Sequence, residues 1–283
     1  MSRIAYVAGQ YLPHRQAAVH IEDRGFQFAD GVYEVIAVTG GHLVDEAPHL
    51  ARLHRSLAEL RIPAPMADEA LKIVIREIIR RNGVDNGIVY LQITRGAAPR
   101  EHAFPKAATP TLVVTARRSR PPDPRLARDG IAVITIADIR WQRCDIKSVA
   151  LVANVLGKQQ AREAGAFEAW QVERDGHVTE GTSTNAWIVT GDGTVVTRAA
   201  DTAILSGVTR LAVLDIIRRE GYRLVERPFT VAEAKAAREA FLTSTTSDVM
   251  PVVRIDGMPV GEGRPGPLAQ KLRAAYLVHA TAP

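Results

Sequence analysis

A chain of 283 residues that is 46% hydrophobic and 5% aromatic is an ordinary globular protein, able to bury one large core or two smaller ones, and its length favours two domains. The net charge of +5, from 36 basic and 31 acidic residues, is spread along the chain instead of forming one basic block, which argues against nucleic acid as a partner. The single cysteine, Cys144, excludes an intrachain disulfide framework and a CxxC metal pair, and no apolar run has the length of a signal peptide core or a membrane span, so the reading is a cytoplasmic protein with no metal and no membrane.

In chain order, "EAPHLARLHRSLAELRI" places Leu50, Leu53, Leu57 and Leu60 at helical spacing, and "DEALKIVIREIIRRNG" does the same with Leu71, Val74, Ile75 and Ile78 before a stop at Gly83. "GIVYLQITRG" and "TPTLVVTARR" are β-branched, bounded by Gly or Pro, and read as buried strands. "RRSRPPDPRLARDG" breaks every periodicity with its three prolines and mixed charge. It predicts a linker over 118–126, between a smaller α+β domain at 1–117 and a larger one at 127–283. Beyond it come strands in "GIAVITIADIRW" and "EAWQVERDG", a helix from about Val149 to Ala164, and strands near Ala186–Val189 and Val195–Arg198. The helix "VTRLAVLDIIRREG", a strand near Arg223–Val225 and a terminal helix "PLAQKLRAAYLVHA" complete two α+β domains without internal repeats.

Several residues carry chemistry that their local sequence leaves open. Lys147, in "RCDIKSVALVANVLGKQQA", is either a solvated boundary lysine or an amine held against apolar surface, where its pKa falls and it can form a Schiff base with a carbonyl. Glu180, in the turn-like "VTEGTSTNAWIV", is either a solvated acid or the partner of a heterocyclic nitrogen. In "ILSGVTRLAV" the amides of Val208 and Thr209 open an apolar helix and make a phosphate site, unless Ser206 or Thr209 simply caps the helix. The hydroxyl-rich turn with Ser244, Thr245 and Thr246 points to a polar ligand. Arg52 is either half of an exposed ion pair or a phosphate fork. In "PREHAFP", Arg100 and His102 alternate in an extended segment, so both point one way and could hold a carboxylate; a solvated polar loop is the plain alternative. Cys144 has no His and Asn/Asp partners for thiol catalysis and reads as packing.

Taken together, "EDRGFQFADGVYEVI", "ITRGAAPREHAFP", "IRWQRCDIKS", "VTEGTSTNAW", "ILSGVTR" and "LTSTTSDV" stand in the order and spacing of the D-amino acid aminotransferases, which the chain resembles from about Ala5 to Tyr276. The resemblance implies a two-domain α+β enzyme of fold type IV with pyridoxal 5′-phosphate between the domains. It also implies transamination, by a ping-pong mechanism, between a D-amino acid such as D-alanine and a 2-oxo acid such as 2-oxoglutarate. By the same resemblance Lys147 is the Schiff-base lysine and proton shuttle, and Glu180 pairs with the pyridine nitrogen. Arg52, Val208, Thr209 and Thr245 hold the phosphate with Ser244 close by, and Leu205 packs on the ring. Arg100 and His102, from the neighbouring subunit of a homodimer with a shared active site, bind the substrate α-carboxylate with the help of Tyr33. The chain departs from a common family pattern at Thr182 and Thr184, where serines are frequent, and at Glu101, whose charge beside the Arg100–His102 pair would disfavour diacids. Branched-chain L-aminotransferases, R-selective amine transaminases and aminodeoxychorismate lyases share the lysine and phosphate residues but not generally this pair. A basic nucleotide- or RNA-binding protein is the alternative outside the fold.

Overall fold

The computed structural model describes residues 3–119 and 123–281. They group into two compact units, one of residues 3–119 with Ile146–Ala150, the other of residues 123–145 and 151–281. Among the described residues no helix is long and apolar enough to cross a membrane.

In the first unit a six-stranded antiparallel sheet runs in the order Gln10–Pro13, Ile4–Val7, Thr111–Arg118, Gly87–Thr94, Gly31–Thr39, His42–Leu43. Side chains alternate across a strand, and one parity of each long strand (Val32, Ile36 and Val38; Val89, Leu91 and Ile93; Leu112, Val114 and Ala116) enters a single core. Against it lie Leu50, Leu53 and Leu57 of the Glu46–Glu59 helix and Leu71, Val74, Ile75 and Ile78 of the Asp68–Asn82 helix. Each buried large aliphatic chain contributes about 1.5–3 kcal/mol, enough in sum to fix both helices on the sheet. The second helix stops at Gly83, which takes the left-handed conformation (φ 56°) that a side chain would disfavour.

The second unit is built on a ten-stranded mixed sheet. Its path is Leu224–Glu226, Val195–Thr197, Asn185–Val189, Glu239–Ser244, Asp248–Ile255, Ile131–Ala137, Glu168–Val172, His177–Gly181, Phe229–Thr230, with Met258–Pro259 added to Asp248–Ile255. Its central strands are buried on both faces. Ala186, Ile188, Ala240, Leu242, Met250 and Val252 join one cluster around Trp170 and Phe229. Trp187, Val189, Phe241 and Val249 join the other, with the Val208–Arg219 and Pro267–Thr281 helices. Two buried faces explain why these segments read as continuous apolar runs instead of alternating ones.

Two expectations need correction. The Pro-rich stretch is helical over Pro124–Asp129: Asp123 accepts the Arg125 amide at the cap and proline occupies the first turn, where its missing N–H costs nothing. Residues 120–122 of the expected linker lie outside the described residues. The helix expected from Val149 begins at Val152, because Ile146–Ala150 is drawn beside the Gly31–Thr39 strand and belongs to the first unit, not to a domain running unbroken from 127.

Candidate active site

Lys147 is held by its backbone before its side chain does anything. Tyr33 N–H donates to the Lys147 carbonyl at 3.1 Å, Val149 N–H donates to the Gly31 carbonyl at 3.0 Å, and Ser148 bridges Val32 in antiparallel register. On the other side Lys147 N–H donates to Oγ of the buried Ser56 at 3.2 Å. The half-buried side chain then places Nζ 4.3 Å from the centroid of the Tyr33 ring, which stacks on Tyr90 at 5.9 Å. An aromatic face attracts the ammonium while removing water from it, so this is not a freely solvated lysine. Burial, with the Tyr33 charge second, pushes the Tyr90 phenol up to about 12, and its hydroxyl donates to Gln92 Oε1 at 2.5 Å.

Arg52 is buried, which rules out the exposed ion pair. Glu34, on the core parity of its strand, accepts from Arg52 Nε and Nη2 at 2.8 Å each. The same carboxylate lies 2.7 Å from Nδ1 of the buried His49. Burial by itself would raise the Glu34 pKa, but the Arg52 charge and the hydrogen bonds from Arg52 and His49 prevail and hold it at about 2. A carboxylate only accepts, so His49 Nδ1 carries the hydrogen; burial keeps the imidazole neutral against the pull of Glu34.

Arg100 and His102 are exposed and meet on one ring, the Arg100 guanidinium 5.1 Å and the His102 imidazole 5.4 Å from the centroid of Phe28. Their loop is clamped by the buried Arg24, whose Nη1 donates to the Glu101 carbonyl at 2.5 Å, Nη2 to the His102 carbonyl at 3.3 Å and Nε to Asp30 at 2.8 Å. The Glu101 carboxylate turns back on its own chain and accepts the His102 and Ala103 amides at 2.8 and 3.4 Å.

The second unit holds the remaining residues. Glu180 lies one residue before the end of its strand, with Oε1 accepting from Arg140 Nη1 at 2.5 Å, while Oε2 accepts from Asn185 Nδ2 at 2.9 Å and from the Leu205 amide at 3.1 Å. Leu205 therefore touches Glu180 through its backbone. Asn185 also binds the Leu205 carbonyl at 2.9 Å. A Cβ on Gly207 would fall 2.1 Å from Asn185 Oδ1, so only glycine fits at the cap of the Val208–Arg219 helix, and it brings no acceptor for the first-turn amides. Val208 and Thr209 are buried there, with the Thr209 hydroxyl 3.4 Å from the Tyr276 hydroxyl, so it caps nothing. Ser244 ends a strand and Thr245 opens the tight turn to its antiparallel neighbour, and Ser244 Oγ accepts the Ser247 amide at 3.1 Å. Thr182 Oγ1 donates to the buried Glu168 at 2.5 Å, whereas Thr184 Oγ1 is buried with no hydrogen-bond partner. Among the described residues no group of three or more His, Cys, Asp or Glu could hold a metal.

Several residues here went unpredicted: Glu34, His49, Arg24, Phe28, Tyr90, Arg140 and Asn185. Glu34 had a sequence signal, an acid at the core parity of "VYEVIAV". Arg140 had a weaker one, an arginine two residues after an aspartate at a strand end.

Residues 31–255 match the family model of amino-transferase class IV. The D-alanine aminotransferase of Bacillus licheniformis is 42% identical over 94% of this chain and 93% of its own. That of Staphylococcus haemolyticus is 38% identical over 96% and 95%. Among solved structures, a T.th. branched-chain amino acid aminotransferase with pyridoxamine 5′-phosphate superposes with a TM-score of 0.91 at 27% identity, covering 98% of this chain and 93% of that one.

Proposed function

This chain belongs to the class IV aminotransferases, and from that premise we propose that it moves an amino group between a D-amino acid such as D-alanine and a 2-oxo acid such as 2-oxoglutarate, with pyridoxal 5′-phosphate as cofactor. The observation that carries the substrate class is the convergence of Arg100 and His102 on Phe28, a cation and an imidazole presented together where an α-carboxylate can be bound. The likeness to the D-alanine enzymes over nearly the whole chain supports the same reading.

The residues fit the cofactor. The helix start at Gly207 offers Val208 and Thr209 amides to a phosphate, and the Gly207 cradle, which a Cβ would fill, lets the backbone approach it. Thr184 Oγ1 is an orphaned buried hydroxyl in the bend that follows the strand carrying Glu180. In this reading Arg52, Ser244 and Thr245 complete the phosphate anchor, Leu205 packs on the ring, and Glu180, kept as a carboxylate by three donors, faces the ring nitrogen. When bound, pyridoxal 5′-phosphate supplies an aldehyde that accepts the amino group and a ring that takes up the electron pair left on the substrate α-carbon. Lys147 Nζ holds the cofactor covalently between turnovers, and once released and neutral it removes the α-proton and returns it. Tyr33 shields Nζ from water and, with Arg100 and His102, orients the substrate carboxylate.

A panel of D- and L-amino acids with pyruvate or 2-oxoglutarate as acceptor tests the reading, and preference for L-valine or L-leucine over every D-amino acid would overturn it. Loss of a charged hydrogen-bond partner costs about 1.5–3 kcal/mol, or roughly tenfold to more than a hundredfold. Arg100→Ala is therefore expected to raise KM for D-alanine by that factor while leaving a primary amine without a carboxylate little affected. Equal losses for both would make Arg100 structural.

Homodimerisation belongs to this proposal, as does cytoplasmic residence, which the lone thiol of Cys144 supports. Each unit exposes apolar side chains that a partner copy would cover: Ile21 and Phe26, both 76% exposed, in one, and Val152 at 74% with Val155 at 62% on one helix face in the other. If Arg100 serves its neighbour, mixing inactive Lys147→Ala with inactive Arg100→Ala protein restores part of the activity. No recovery despite demonstrated subunit exchange would argue for a site within one chain.

A further inference from the structure

Glu180 is not the end of its charge network. Arg140, buried like Glu180, donates Nη1 to Glu180 at 2.5 Å and presents its other edge to Asp138, with Nε to Oδ1 at 3.0 Å and Nη2 to Oδ2 at 2.7 Å. Nη2 also faces Thr179 Oγ1 and the Ala203 carbonyl, both at 3.1 Å. Thr179 Oγ1 donates to Asp138 Oδ2 at 2.8 Å, so the aspartate is held on two sides. Burial opposes the charge on Asp138, yet the hydrogen bond and charge of Arg140 keep its pKa below the ordinary carboxylate value. Burial likewise opposes the charge on Arg140, but its two carboxylate partners push its pKa above the ordinary arginine value.

Asp138 and Arg140 are therefore charged, and with Glu180 as the carboxylate that its three donors favour, Asp138 (−1), Arg140 (+1) and Glu180 (−1) sum to one negative charge. Without Asp138, Arg140 would cancel Glu180 and leave a neutral pair. Cys144 and the Asp145–Arg143 pair beside the triad leave this difference unchanged. Burial, aided by Glu180, Asp138 and Asp145 against Arg140, pushes the Cys144 thiol up to about 11 and keeps it neutral. Asp145 accepts from Arg143 at 3.0 and 3.1 Å, a pair that sums to zero.

We propose that Asp138 is a positioning residue that sets the protonation of the cofactor's ring nitrogen: by offsetting the charge of Arg140, it preserves the negative charge through which Glu180 holds a proton on the ring. Arg140 fixes the orientation of Glu180, and Asp138 prevents that fixation from neutralising it. The inference rests on the assignment of Glu180 to the ring nitrogen made above.

The test is nitrogen-15 NMR of the holoenzyme reconstituted with pyridoxal 5′-phosphate labelled at the ring nitrogen, titrated with pH, since the shift separates pyridinium from pyridine without reference to turnover. The wild-type ring is expected to stay protonated at neutral pH. Asp138→Asn should lower the midpoint of its deprotonation by about one pH unit or more, the size of effect a nearby charge has on a titrating group. The double variant Asp138→Asn/Arg140→Gln restores the sum of one negative charge and should move the midpoint back toward wild type, whereas a purely structural role for Asp138 predicts a further departure. Should Asp138→Asn fail to fold, Arg140→Gln alone gives the opposite test, because it leaves two negative charges and should raise the midpoint. An unchanged midpoint in Asp138→Asn, a double variant worse than the single, or a midpoint that does not rise in Arg140→Gln overturns the proposal. Glu180→Gln separates the two levels: if it leaves the signal as in wild type, the assignment of Glu180 fails and the role of Asp138 falls with it; if Glu180→Gln moves the midpoint and Asp138→Asn does not, only the role of Asp138 fails.

Discussion

Lys147→Ala is expected to lower transaminase turnover by at least about a thousandfold, because one amine serves as both covalent tether and acid–base group, and acid–base catalysis alone contributes roughly 10²–10⁴. The fold should survive. The hydrogen bonds that fix this position run through its backbone, to Tyr33 and Ser56, and alanine keeps them. What goes is the half-buried chain whose Nζ lies over the Tyr33 ring. The thermal midpoint of the apoprotein should therefore stay near that of wild type while the visible absorption of the bound cofactor changes. Borohydride reduction of wild-type holoenzyme followed by peptide mass analysis should find the cofactor on Lys147. Retention of more than about a tenth of wild-type turnover, below even the least loss expected of one acid–base group, would remove Lys147 from the chemistry.

The second large effect concerns stability. Glu34→Gln keeps the shape of the side chain and deletes its charge, leaving Arg52 buried against a neutral amide. Removing one partner of a buried ion pair costs about 3–5 kcal/mol, a large share of the roughly 5–15 kcal/mol by which a typical domain is stable. A marked fall in the urea midpoint at neutral pH is expected, and a midpoint like that of wild type would show that Arg52 draws its support elsewhere. The acid limb gives a second readout. The Glu34 pKa is depressed from 4.5 to about 2 in the folded protein, so its contribution is complete above pH 4.5 and is lost as pH falls from there toward 2. Wild type should lose stability across that window more steeply than Glu34→Gln, which has no such group to protonate.

The framework of the fold could be read from the chain wherever one periodicity ruled. The leucine stripe of Leu50, Leu53 and Leu57 and the isoleucine stripe ending at Gly83 are helices because one face alone is buried, and their helical spacing shows it. Strands such as Gly87–Thr94 and Asn185–Val189 announce themselves by β-branching. The short helix Val231–Ala236 escapes notice although Thr230 and Glu233 form a reciprocal capping box, because six residues are too few to show a period. The start of the helix after Lys147 is misplaced for a different reason: Ser148 and Val149 are recruited by a strand more than a hundred residues earlier, and local propensity carries no information about that pairing. The residues proposed for the site that have a motif of their own, such as Lys147, Glu180 and the Arg100–His102 pair, stand out in the sequence. The residues that hold them, Arg24, Glu34 and Arg140, do not, since each acts through a tertiary partner.

The five-residue excursion of Ile146–Ala150 has a consequence for how the protein is made. The ribosome delivers the chain from its N-terminus, and by the time residue 119 has emerged all six strands and both long helices of the first sheet are available to collapse. The start of the Gly31–Thr39 strand must nevertheless wait for Ile146–Ala150, which arrives only after the first strand of the second sheet, Ile131–Ala137, has been synthesised. The amino-terminal half can thus become compact early, but Lys147 is docked last, by a contact of long sequence separation whose loop-closure entropy makes it slow to form. A nascent chain arrested before residue 147 is a nearly finished scaffold that still lacks Lys147.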